Sequence, residues 1–174
     1  MREPRRNIEL KARDPDPARS LAVCASLGAE KEGFLVQRDT YFDVPMGRLK
    51  LREESGAKPH LVSYLRADES GRRESRYRIV EVGQPEELIS ALSDNLGVKV
   101  VVEKERQLLL WQGVRVHLDH VKALGNFIEL EAVAPADSDL SAERQKVEAL
   151  QGKFGIDRHD LVAVSYCDLV SASR

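Results

Sequence analysis

The chain has 174 residues, enough for one ordinary domain. Its 27 Lys and Arg stand against 29 Asp and Glu, for a formal net charge of −2, and 42% of the residues are hydrophobic. Such a chain is too apolar for intrinsic disorder, and it lacks the basic excess of a general nucleic-acid or membrane-surface binder. No apolar run approaches the roughly 20 residues that span a bilayer.

The first residues, Met1-Arg-Glu-Pro-Arg-Arg6, offer no apolar signal region, so the expected compartment is the cytoplasm. Cys24 and Cys167 sit in apolar contexts and read as reduced packing residues. No repeat or linker divides the chain, and one domain over residues 1–174 is expected.

Residues 7–13 alternate strictly, with Ile8, Leu10 and Ala12 on one face and Asn7, Glu9, Lys11 and Arg13 on the other. Asp16, Pro17 and Gly28 then bracket a helix as N-cap, first position and stop. Four strands are predicted near 34–43, 48–54, 60–67 and 72–82, separated by Pro45-Met-Gly47, Ser55-Gly56 and Ser70-Gly71. A helix near 85–96 opens at Pro85 and closes at Gly97. Strands near 98–111, 114–122 and 126–134 follow, turned at Gln112-Gly113 and Leu124-Gly125-Asn126. The remainder reads as two helices from Asp139 or Ser141 onward, broken at Phe154-Gly155-Ile156. Eight strands with short connections imply antiparallel neighbours. The expected fold is α+β: an eight-stranded antiparallel barrel, closed or nearly so, with helices packed outside.

The near-neutral total hides a distribution. Residues 1–13 and 46–78 carry net charges of +3 and +4, while 14–45 and 79–174 carry −3 and −6. Along the strands, Arg48, Lys50 and Arg52 share a face, as do Arg76 and Arg78, Lys104 and Arg106, and Arg115, His117 and Asp119. Arg66 aligns with Tyr64 and Val62, and Glu129 aligns with Glu131. A solvated face normally mixes signs, because like charges across strands repel. If the sheet closes with this face inward, the interior is a basic channel holding a few carboxylates: Glu9, Asp119, Glu129 and Glu131. Arg and Lys clamp phosphate oxygens, and carboxylates among them suit Mg²⁺ or Mn²⁺ bridging protein to phosphate. Of His60, His117, His120 and His159, none shows metal-ligand spacing; His117 faces the channel and is a candidate for proton transfer. Tyr41 and Tyr64 read as packing residues. No P-loop, Rossmann fingerprint or nucleophile elbow is present.

The ordered motifs resemble a known family. Ile8-Glu-Leu-Lys11 resembles the second half of the Glu-x-Glu-x-Lys signature of CYTH domains, the triphosphate tunnel metalloenzymes. The resemblance continues through Gln37-Arg-Asp-Thr-Tyr-Phe42, Gly47-Arg-Leu-Lys-Leu-Arg-Glu53, Tyr64-Leu-Arg66, Val102-Glu-Lys-Glu-Arg106, Arg115-Val-His-Leu-Asp119 and Leu124-Gly-Asn-Phe-Ile-Glu-Leu-Glu131. It implies a tunnel that binds a triphosphate and a divalent metal. Glu9, Glu129 and Glu131 would be metal ligands, with Asp119 at or just behind the metal. Lys11, Lys50, Arg52, Arg66, Lys104, Arg106 and Arg115 would hold phosphate, with Arg48, Arg76 and Arg78 added from the strand faces. Lys11, Arg52 and Lys104 are the expected catalytic residues. Two positions depart from the pattern: Asn7 replaces the first signature Glu, and Leu65 stands where relatives often carry Lys.

The expected function is a Mg²⁺- or Mn²⁺-dependent triphosphatase acting on inorganic triphosphate, thiamine triphosphate or a nucleoside triphosphate. The alternatives are a class IV adenylate cyclase and a non-catalytic polyphosphate- or nucleotide-binding module. The expected partner is a small-molecule triphosphate, with no nucleic acid or membrane. A monomer and a homodimer both remain open.

Overall fold

A computed structural model describes residues 3–173; Met1, Arg2 and Arg174, the ends of the expected domain, lie outside the described residues. The elements run β1 (Arg5–Arg13), α1 (Pro17–Ser26), β2 (Glu30–Phe42), β3 (Arg48–Glu54), β4 (His60–Arg66), β5 (Arg73–Glu81), α2 (Pro85–Leu96), β6 (Val98–Trp111), β7 (Val114–Val121), β8 (Gly125–Val133), α3 (Ser141–Phe154) and α4 (Tyr166–Ala172). The strands close into an antiparallel barrel in the order β1-β5-β4-β3-β2-β6-β7-β8, with β8 returning to β1. Closure leaves no sheet edge, and it divides every strand into an inward and an outward row.

Local chemistry sets the boundaries. Asp16 caps α1 by accepting from the Arg19 backbone N–H at 3.0 Å, and Pro17 opens the helix. Gln112 (φ 47°) and Gly113 (φ 80°) both take the left-handed backbone that a two-residue hairpin needs. Gly47 has φ +67°, and a Cβ there would meet the Tyr64 carbonyl oxygen at 2.7 Å, so the β3 entry requires glycine.

Two boundaries differ from expectation. β2 begins four residues early, at Glu30, carried past a register shift between Lys31 and Gly33 that the alternation pattern hides. The C-terminal helices are separated by a stretch rather than a break. The 155–165 segment lies along β1, where Arg13 N–H donates to the Asp160 carbonyl at 2.8 Å and Val162 N–H to the Lys11 carbonyl at 2.9 Å.

The outward rows of β1, β7 and β8 are aliphatic. Ile8, Leu10, Ala12, Val114, Val116, Ile128, Leu130 and Ala132 pack with Leu109 of β6, Cys24 of α1, and Val147, Leu150 and Phe154 of α3. Each fully buried aliphatic side chain here contributes roughly 1.5–3 kcal/mol. A second cluster plugs one end of the barrel: Tyr41, Val100, Val102, Val121 and Phe127 meet Val162, Tyr166 and Cys167. Phe127 and Tyr166 pack edge to face, 5.1 Å between centroids. Both cysteines are buried and free. Among the described residues, no helix is long and apolar enough to cross a membrane.

Candidate functional site

With one end plugged by α4, the barrel interior is a cup of about 300 Å³. Seven basic side chains line it: Lys11, Lys50, Arg52, Arg66, Lys104, Arg106 and Arg115. Four carboxylates share the wall: Glu9, Glu54, Glu129 and Glu131. The inward rows therefore bring together most of the residues that the sequence singled out, and they separate them into two groups.

The first group centres on Asp39 of β2, which is 1% exposed. Its carboxylate takes Lys50 Nζ at 2.7 Å, and Arg52 Nε and Nη2 at 2.7 Å each. Lys104 Nζ stands 3.6 Å away. Burial alone would raise the Asp39 pKa, but Arg52, Lys50 and Lys104 hold it well below the usual carboxylate range. Burial, followed by the neighbouring Arg52, pushes the Lys50 ammonium down to about 8. Lys104 is pushed well below its ordinary value by burial, then by Arg106 and Arg52. One carboxylate thus offsets three cations.

The second group lies on β1, β7 and β8. Glu9 Oε1 accepts from Arg66 at 2.6 Å and from Arg73 at 3.2 Å. Glu129 accepts from Arg106 at 3.0 Å, with Lys11 Nζ 3.9 Å away. Burial acts against the Glu129 carboxylate, yet Lys11, His117 and Arg106 keep it well below its ordinary value. Glu131 accepts from the Asn7 amide and from Arg115 at 3.3 Å. His117, 5% exposed, lies 3.5 Å from Glu129 and 3.8 Å from Glu131; burial and then Arg106 lower its pKa. Asn7 Oδ1 is buried and has no hydrogen-bond partner among the described residues. Lys11 Nζ sits 3.6 Å above the Tyr166 ring at the floor of the cup.

Four expected site residues fall elsewhere. Arg76 and Arg78 are exposed on the outward row of β5, because its inward row is Arg73, Ser75, Tyr77 and Ile79. Arg48 is tied to Asp68 at 2.7 Å and to Asp168 of α4 at 2.8 Å, at the plugged end and outside the lining. Asp119 is 3% exposed, with its oxygens held by Arg106 at 2.6 Å each and by the Tyr166 hydroxyl at 2.9 Å. It is thereby the counter-ion of Arg106, set behind the wall rather than open to a metal. Tyr41 packs in the plug and Tyr64 packs against it, and both also line the cup. Sequence reasoning missed Asp39, Glu54 and Arg73, the last being 3% exposed and bound to Glu9 and to the Glu69 and Val162 carbonyls.

The same architecture recurs in solved structures. The PH1012 protein of Pyrococcus horikoshii is similar over 94% of this chain and 98% of its own, at 23% identity and a TM-score of 0.81. A candidate adenylate cyclase from Vibrio parahaemolyticus is similar over 95% of this chain and 97% of its own, at 20% identity and a TM-score of 0.77. The Hippeastrum protein HpAC1, described as having a dominant triphosphatase activity, is similar over 97% and 96%, at 15% identity and a TM-score of 0.67. A search of curated protein sequences finds no match. The family model for the CYTH domain matches residues 5–166, from the first residue of β1 to the first of α4, so the whole barrel with its plug belongs to the CYTH domain family.

Proposed function

We propose that this chain is a divalent-metal-dependent triphosphatase whose substrate lies in the cup with its phosphates against the basic wall. The observation that carries the reading is the separation inside one cavity: an excess of buried cations around Asp39 faces an oxygen-rich group of Glu9, Glu129, Glu131 and Asn7. A buried excess of positive charge is relieved by a polyanion, and the Hippeastrum and Vibrio neighbours make a triphosphate the natural choice.

The oxygen group fits a hard divalent cation. Three carboxylates supply charge, and Asn7 Oδ1 is a buried carbonyl oxygen with no partner among the described residues. Glu9, Glu129, Glu131 and Asn7 would hold Mg²⁺ or Mn²⁺. When bound, the ion would act as a Lewis acid on a phosphoryl oxygen.

The chain's own residues do the rest. Lys50, Arg52 and Lys104 present their N–H groups to phosphate oxygens from a fixed fan, so little reorganisation is needed as charge shifts during transfer. Arg66 of β4, Arg106 of β6 and Lys11 of β1 add further contacts, exchanging part of their bonding to Glu9, Asp119 and Glu129 for phosphate. A water oxygen bonds to the terminal phosphorus as the bridging P–O bond breaks. The diphosphate portion leaves with the bonding electrons, and the water proton passes to the phosphate products. Such a transfer needs positioning and charge stabilisation more than a strong base.

The test incubates purified protein with Mg²⁺ or Mn²⁺ and, separately, inorganic triphosphate, thiamine triphosphate and ATP, reading orthophosphate, pyrophosphate and cyclic AMP. Orthophosphate release is expected. Cyclic AMP with pyrophosphate would replace the reading with a class IV adenylate cyclase. Binding without any product would replace it with a non-catalytic module.

A further inference from the structure

Toward the open end, where Glu54, His60 and Arg115 also line the wall, the cup gains apolar side chains. Leu35 of β2, Val62 of β4, Ile79 of β5 and Leu108 of β6 all line the same cavity as the charged wall. None of the four is fully buried, and Ile79 is 46% exposed. They belong to neither hydrophobic cluster, so they are apolar side chains facing the barrel interior without a core to serve. The opposite end is shut by Phe127 and Tyr166, at 0% and 3% exposure, so a ligand that threads its phosphates inward leaves its other end at these four residues.

We infer that this aliphatic collar selects an organic triphosphate monoester over inorganic triphosphate by burying an apolar face of the group esterified to the phosphate chain. The inference rests on the triphosphate reading above and goes beyond it by choosing among substrates. Inorganic triphosphate is charged along its whole length and gains nothing from the collar. A collar of Leu, Val and Ile rewards apolar area, and contact with one hydrophobic side chain is worth about tenfold or more in selectivity.

Calorimetry without divalent ion, so that nothing turns over, compares inorganic triphosphate, ATP and thiamine triphosphate. At least one of the two organic ligands should bind about tenfold more tightly than inorganic triphosphate. Ile79→Ser with Leu108→Ser should bring that ratio close to one while leaving the inorganic Kd within about twofold, which also shows that the variant is folded. Ile79→Ser alone, at a half-exposed position, should lower the ratio partway if the double variant does not fold. Inorganic triphosphate binding as tightly as both organic ligands, or variants that weaken all three equally, would overturn the collar while leaving the triphosphate reading in place. Binding of none of them would overturn the triphosphate reading and the collar with it.

Discussion

The barrel has two walls built on opposite rules. β1, β7 and β8 turn an aliphatic row outward under α1 and α3, and carry their charges inward as Glu9, Lys11, Arg115, His117, Glu129 and Glu131. Among the described residues, no helix covers much of the outward rows of β4 and β5: Leu65 is 54% exposed, Val80 57%, and Arg76 and Arg78 face solvent. Their inward rows mix Arg66 and Arg73 with Tyr64, Tyr77, Val62 and Ile79. A helix therefore decides which row must be apolar. Where it covers the sheet, the polar row has only the interior to occupy. Where it does not, the interior is free to be partly apolar. The covered wall ends up with the carboxylates, and the wall formed by β2 and β3 ends up with the cation fan on Asp39.

The largest effect is expected from breaking the covered wall. Glu129→Gln and Glu131→Gln should each lower metal-dependent turnover about 100-fold or more, since a divalent ion supplies several kcal/mol and each 1.4 kcal/mol is tenfold. Both variants keep the shape of the side chain, so far-ultraviolet circular dichroism should match the parent. Initial rates across a Mg²⁺ or Mn²⁺ titration check this; full activity in both would remove the carboxylates from the reaction.

Asp39→Asn breaks the wall formed by β2 and β3, and its first effect should be on stability. Removing one partner from a buried ionic group leaves the rest uncompensated, at a cost of about 3–5 kcal/mol. Here the uncompensated groups are Lys50, Arg52 and Lys104. An anion in the cup would restore balance, so inorganic triphosphate should recover more stability in Asp39→Asn than in the parent. Urea unfolding with and without triphosphate measures both terms.

The same contrast explains what was readable in the sequence. The covered wall was legible because strict alternation marks its faces: Ile8, Leu10 and Ala12 had to pack, so Glu9 and Lys11 had to point inward. In β2, neither row is marked. Leu35, Gln37, Asp39 and Tyr41 face in, while Val36, Arg38, Thr40 and Phe42 face out, and both rows mix apolar with polar. Asp39 becomes visible only through its register with Arg52, which pairing across strands sets and spacing along one strand does not. In β5 both rows carry charge, Arg73 inward and Glu74, Arg76 and Arg78 outward, so charge alone does not mark the faces, and the sequence pattern puts Arg76 and Arg78 inward and passes over Arg73. Asp119 lies on the inward row, but it is captured by its cross-strand partner Arg106 and by Tyr166 of α4, a helix more than forty residues later in the chain.

A smaller, pH-dependent effect belongs to the cation fan. Burial depresses Lys50 to about 8 from an ordinary 10.5, so above pH 8 the empty cup increasingly holds it neutral. Phosphate favours the ammonium, and binding there must then take up a proton. Triphosphate affinity should fall as pH rises above about 8, by at most about tenfold per unit. Calorimetry in buffers of different ionisation enthalpy should show proton uptake near pH 8.5 that is smaller in Lys50→Arg, with Lys104 accounting for what remains. The empty fold should move the other way: between about pH 8 and the ordinary lysine value, the unfolded chain holds a proton that the fold has shed, so this group adds stability as pH rises.

The smallest effect tests the assignment of the β5 faces. Arg76 is exposed and ion-pairs with Glu74 at 3.0 Å on the outer surface, where such a pair contributes about 1 kcal/mol or less. Arg76→Ala should leave triphosphate affinity within about twofold, because a charge screened by solvent and separated from the cup by the sheet acts weakly on the ligand. Arg66→Ala, on the inward row of the neighbouring strand and 2.6 Å from Glu9, should weaken binding about tenfold or more, as expected for loss of a charge-assisted hydrogen bond. Measured side by side at two ionic strengths, the Arg66 deficit should persist while any Arg76 effect shrinks with salt. Equal deficits would mean that the outer row of β5 reaches the ligand, and the distinction between covered and bare walls would lose its functional meaning.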